Sequence, residues 1–150
     1  MKVQELGHAV LYVRDLVASR RFYGDLLGFE EIATMGSIGA VFQSGSHRTH
    51  HELLLLEVGP DAPRVPEGRR AGLYHLGLKI GTTDDELRAA LTELEAAGVP
   101  VVGATDHTVT HSLYIQDPDG NELELYIDVQ PETWRTDPLA VVAPNKPLRL

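Results

Sequence analysis

Apolar and polar residues alternate along short runs of this chain, and helical spacing interrupts the alternation twice at corresponding places. From Leu6 to Val13 the residues Ala9, Leu11 and Val13 share one strand face, while His8, Val10 and Tyr12 take the other. Asp15 then stands as an N-cap for a helix over Leu16 to Leu27, with Leu16, Arg20, Tyr23 and Leu27 at helical spacing and Gly28 as its stop. Strands are expected at Phe29–Thr34, Ala40–Ser44 and Glu52–Val58. The pattern restarts with a strand over Leu73–Ile80, in which Leu76, Leu78 and Ile80 oppose His75, Gly77 and Lys79. Thr83 caps a second helix to about Ala97, Glu86 completes a capping box, and Gly98 ends it. Strands over Val99–Ala104, Ser112–Gln116 and Glu122–Ile127 follow, the last two joined by the turn Pro118-Asp119-Gly120-Asn121.

The order βαβββ therefore occurs twice, as two half-domains of an α+β fold whose curved mixed sheet forms a cavity. The expected organisation is one domain over residues 1–150. It comprises a first module at 5–58, a linker at 59–70 that holds three of the nine prolines, a second module at 71–130, and an extended, proline-rich tail at 131–150 anchored at Trp134.

Composition narrows the function. Thirteen basic against 22 acidic residues give a net charge of −9 without a basic stripe, which disfavours nucleic acid and anionic membranes as partners. Cysteine is absent, so neither a disulfide framework nor a thiolate metal site is available. The first residues, Met1-Lys2-Val3-Gln4-Glu5, have no apolar signal core, and a cytoplasmic location is expected. No P-loop, dinucleotide fingerprint or nucleophile elbow occurs. Asp117-Pro118-Asp119-Gly120-Asn121 has its glycine too early for a calcium loop.

The candidate chemistry lies on the faces opposite the apolar ones. His8 and His75 hold the same position in the two copies, and Glu124 lies on the last strand with Glu122 and Tyr126. Two imidazoles, one carboxylate and open positions make the facial triad of non-haem Fe(II) sites. Fe(II) is the expected metal, with Mn(II), Zn(II) or Ni(II) as alternatives. Aligning the closing strands sets Leu54 against Glu124, so three ligands are expected. Glu52, on the same face as Leu54, is the residue that could add a fourth. Glu57 has the wrong parity. Tyr114, ten residues before Glu124, can hydrogen-bond an anionic substrate oxygen, and His107, in the loop before it, can shuttle a proton. His47, His50 and His51 are expected to form a surface histidine cluster; as the alternative, parity puts His50 on the face of Glu52 and Leu54, toward the cavity, and turns His51 away.

Four stretches carry a family resemblance: Gly7-His8-Ala9-Val10-Leu11-Tyr12-Val13, Phe22-Tyr23-Gly24-Asp25-Leu26-Leu27-Gly28-Phe29, Tyr74-His75-Leu76-Gly77-Leu78, and Asp117 to Tyr126. Over residues 5 to 130 the chain resembles the vicinal oxygen chelate superfamily, which includes glyoxalase I, extradiol dioxygenases and antibiotic-resistance proteins. Asp106 to Tyr114 and Pro131-Glu132-Thr133-Trp134 are similar to the catechol 2,3-dioxygenase-like members. The resemblance implies His8, His75 and Glu124 as iron ligands, Tyr114 as partner of a substrate oxygen and His107 as an acid–base group. The implied partners are a small aromatic or oxygen-chelating substrate and O2, and a homodimer is among the expected assemblies. Characterised extradiol enzymes are often about twice this length. A glyoxalase-type isomerase or lyase, or a non-catalytic drug-binding protein, are the other roles the superfamily offers.

Overall fold

The computed structural model describes residues 1–150, which form two compact units, Met1–Pro66 and Glu67–Leu150. Each has βαβββ order around its own mixed sheet.

In the first unit the strands are β1 (Ala9–Val13), β2 (Glu30–Thr34), β3 (Gly39–Gln43) and β4 (Leu53–Glu57), in the order β1-β4-β3-β2. β1 runs parallel to β4, and the other pairs are antiparallel. Alternation buries Leu11 and Val13, with Leu53 and Leu55 beside them. The expected helix from Leu16 to Leu27 is divided. α1 covers Leu16–Arg20, and Arg21–Leu26 follow as a π-helical turn that buries Phe22 and Tyr23. The Asp15 side chain accepts from Ala18 N at 2.9 Å, as its N-cap role requires. Glu57 Oε2 accepts from Leu16 N at 2.8 Å, so that carboxylate is committed to the same helix end.

The second unit has β5 (His75–Gly81), α2 (Asp84–Ala96), β6 (Gly103–Asp106), β7 (Thr110–Gln116) and β8 (Glu122–Asp128). Thr83 and Glu86 form the capping box, and Leu87 and Leu94 are the buried face of α2. Leu113, Ile115, Leu123, Leu125 and Ile127 complete this core. β6 begins at Gly103 rather than Val99. The tail is not simply extended. Pro131 sits at the start of α3 (Pro131–Thr136), a 3-10 turn covers Pro138–Val142, and β9 (Lys146–Pro147) adds to the edge of β6.

The β7–β8 hairpin sets the register that matters most. Asp117 Oδ1 accepts from the backbone N–H groups of Asp119 and Asn121, and Oδ2 accepts from the Asn121 amide. Gly120 takes a φ of 89° in the turn. The Asp117 carboxylate is thus spent on closing a hairpin, and Tyr114 comes to stand directly across from Glu124.

Candidate metal centre and acid–base chain

In the second unit, His75 lies opposite Glu122 and Gly77 opposite Glu124, so the His75 ring reaches Glu124 along the diagonal. Gly77 has no side chain to block that path; a Cβ there would stand 3.8 Å from Glu124 Oε2. His75 Nε2 is 3.1 Å from Glu124 Oε2. Two ligands about 2.1 Å from one metal at a right angle would be about 3 Å apart, so this pair fits a shared cation. The other ring nitrogen, Nδ1, is buried without a hydrogen-bond partner, and Glu122 Oε1 is 3.7 Å from it. Ligating histidines commonly anchor their second nitrogen on a carboxylate, which makes Glu122 the natural support.

Beside this pair runs a chain of hydrogen bonds. The Tyr114 hydroxyl donates to Glu124 Oε1 at 3.0 Å, and His107 Nε2 lies 2.8 Å from the same hydroxyl. Burial, then the charge and hydrogen bond of Glu124, push the Tyr114 phenol well above its ordinary pKa. Tyr114 is therefore a neutral donor at neutral pH. His107 follows β6 in a tight turn in which Asp106 Oδ1 accepts from Thr108 N at 2.6 Å and Thr108 takes a φ of 74°. His107, Tyr114, His75 and Glu124 border one cavity of about 430 Å3.

In the first unit, β1 starts at Ala9, so His8 lies just before the strand rather than on it. Its backbone place still matches that of His75, because Val10 pairs with Leu54 as Gly77 pairs with Glu124. Leu54 thus occupies the position equivalent to Glu124. Glu52 is engaged elsewhere: its Oε2 accepts from Ser44 N at 2.9 Å and its Oε1 accepts from the Ser46 hydroxyl at 3.4 Å. Burial raises its pKa, but hydrogen bonds from Ser44, Thr49, Ser46 and Arg48 outweigh burial and hold the carboxyl below its ordinary value.

The expectation that His51 turns away is overturned. Its ring centre is 4.3 Å from that of His8, closer than His50 at 5.6 Å. Both precede β4, so strand parity does not govern them. The nitrogens of His8, His50 and His51 all lie within 4.8 Å of one another. Burial first, then the charges of His8 and His50, lower the pKa of His51, so it is neutral at pH 7 and able to accept a proton.

The sequence model of the Glyoxalase/Bleomycin resistance protein/Dioxygenase superfamily matches residues 5–125. The chain belongs to this superfamily. Among curated relatives of this glyoxalase-superfamily chain, a catechol-2,3-dioxygenase of Bacillus subtilis is 35% identical over 132 residues, which cover 88% of this chain and 44% of that one. A biphenyl-2,3-diol 1,2-dioxygenase of Rhodococcus globerulus is 33% identical over 82% of this chain and 63% of its own length. This chain thus spans about half to two thirds of those relatives. A solved glyoxylase/bleomycin resistance protein/dioxygenase domain from Frankia superposes with a TM-score of 0.69 at 22% identity, over 85% of this chain and 99% of that one, which supports the superfamily fold. No helix is long and apolar enough to cross a membrane.

Two groups have no role in the sequence reading. Parity places Glu122 on the face of Glu124 but does not signal its approach to His75 Nδ1. Asn145 Oδ1, 2.9 Å from His107 Nδ1, is brought there by the β9–β6 pairing, which no local pattern signals.

Proposed function

We propose that this superfamily member is a metal-dependent, extradiol-type dioxygenase that opens a catechol-like ring with O2. The observation that carries the reading is the continuous set His107–Tyr114–Glu124–His75, in which an acid–base group, a phenol donor and two metal-type ligands adjoin in one cavity. The B. subtilis and R. globerulus relatives, named for catechol-type dioxygenase reactions, favour the same chemistry.

His75 and Glu124 would hold the metal, and His8 is assigned as third ligand from its equivalence to His75 in the repeat. A divalent metal held there, Fe(II) in this reading, would supply the redox chemistry that ring opening by O2 requires. The remaining work belongs to the chain. Tyr114 offers its O–H to a substrate oxygen that gains negative charge, in a position set before the substrate arrives. His107 Nε2, 2.8 Å from that hydroxyl, is near enough to exchange a proton with bound substrate while the phenol stays protonated. The Asn145 amide can accept from Nδ1–H or donate to a bare Nδ1, so His107 keeps a partner in either tautomer. The engaged state of Glu52 and the leucine at position 54 weigh against a four-ligand isomerase centre.

One observation favours a second reading of the metal position. The convergence of His8, His50 and His51 is an all-nitrogen set that could hold a cation within the first unit. The function is tested by loading the protein with Fe(II) anaerobically and then admitting O2 with catechols. Oxygen uptake in proportion to catechol is the expected result. Conversion of a hemithioacetal without oxygen uptake would replace the dioxygenase reading by the isomerase.

A further inference from the structure

The C-terminal segment contributes two side chains to the cavity, Trp134 from α3 and Val141 from the 3-10 turn. Its far end is tied to the acid–base group. β9 pairs Lys146 with Asp106 and Pro147 with Thr105, and the preceding Asn145 reaches His107. Lys146 Nζ also lies 3.7 Å from Asp106 Oδ2. The segment is therefore held at both the wall and the chemistry of the cavity.

The wall has a definite character. Val109, Tyr126, Trp134 and Val141 supply its apolar surface. The carboxylates lining it are Glu124 and Asp128. The cations nearby are committed. Lys79 Nζ sits 2.5 Å from Asp128 Oδ2, and Arg135 stacks 5.2 Å from the Trp134 ring centre while pairing with Glu132. Because the cationic side chains at this wall are already paired, a negatively charged substituent held against it would lose its hydration without gaining a side-chain counter-ion. An alkyl substituent would cover Trp134 and Val141, which are 37% and 56% exposed and so have surface left to bury.

We infer that the segment from Pro131 to Pro147 is the specificity wall of this site, with Trp134 and Val141 selecting a ring substrate that carries a neutral, apolar substituent over one that carries a carboxylate. This rests on the ring-opening reading for the type of ring, and not for the choice among rings. Complete burial of a propyl group would be worth roughly fiftyfold in affinity. The half-open wall reduces that to about tenfold.

The test is calorimetric titration of the Fe(II)-loaded protein without O2, using catechol, 4-propylcatechol and 4-carboxycatechol. Trp134 is the sole tryptophan, so its fluorescence gives a second, local readout. The expected order is propyl tighter than catechol by about tenfold and carboxyl weaker by at least as much. Trp134→Ala should shrink the propyl advantage to about threefold or less. Val141→Lys, at an exposed position and so independent of whether the Trp134 variant folds, should improve carboxyl binding at least threefold and weaken propyl binding. Equal affinities in the wild type, a reversed order, an order unmoved by both substitutions, or no binding of any catechol would overturn the inference. Binding in the expected order without oxygen uptake in air would overturn the dioxygenase reading and leave the wall standing. Oxygen uptake with a reversed order would do the opposite.

Discussion

Replacing Tyr114 by phenylalanine removes one oxygen atom from the centre of the acid–base chain. That hydroxyl is 3.0 Å from Glu124 Oε1 and 2.8 Å from His107 Nε2, so both lose a partner while the ring and its packing stay. The group is partly buried, and the stability lost should be about 1 kcal/mol, which for a chain of this length lowers Tm by roughly 2–4 °C. The protein stays folded under assay. Loss of one preorganised donor at developing charge typically costs ~10²–10³ in kcat, or about 2.7–4 kcal/mol of barrier. KM should change much less, because the donor acts more strongly on the charged state than on the bound catechol. Stopped-flow oxygen uptake by Fe(II)-loaded wild type and variant, with metal content measured on the same samples, makes the comparison. His107→Ala should fall by a similar ~10²–10⁴. Because the two residues act through one hydroxyl, the double variant should be little slower than the slower single one. A Tyr114→Phe enzyme within threefold of wild type, or one slowed only in proportion to lost metal, would refute the assigned role.

Further outcomes follow from the same geometry. Glu52→Gln should leave metal content unchanged by elemental analysis, since Glu52 serves Ser44 and Ser46; loss of metal would make it a fourth ligand. The folded-state pKa of His51 is lowered by burial and by His8 and His50, so the unfolded chain takes up the proton first and stability should fall as pH drops below about 6.5. Thermal melts from pH 7.5 to 5.5 should therefore show the Tm gap between His51→Asn and wild type shifting in favour of the variant as pH falls, and a pH-independent gap would contradict this. Leu87, fully buried on α2, should cost 2–5 kcal/mol on change to alanine in urea melts, and a loss under about 1 would mean that α2 does not anchor this core.

The elements that could be read from the sequence are those whose rules are local. Alternation in Leu123-Glu124-Leu125, the Asp117–Asn121 turn and the Thr83–Glu86 capping box each specify backbone and facing by themselves, and they place Tyr114 across from Glu124. The repeat likewise placed Leu54 at the position of Glu124. Parity failed at His50 and His51 because the backbone there is not a strand, so alternation had no meaning. The helix after Asp15 has the expected extent to within one residue, but its second half is π-helical, which apolar spacing does not distinguish from an α-helix. In the tail, Asn145 reaches His107 through pairing of β9 with β6, a contact between segments 38 residues apart. The position of His107 itself depends on Thr108 adopting a positive φ, which a β-branched residue takes only when its surroundings impose it.

Metal content per chain after Fe(II) reconstitution tests the central claim most directly, measured in wild type, His8→Ala, His75→Ala, Glu124→Gln and the double variant His50→Ala/His51→Ala. The account predicts one metal per chain in the wild type and in the double variant, and near-complete loss in the other three. Full occupancy in His75→Ala, with loss on changing His50 and His51, would move the metal to the first unit's histidines and contradict the account.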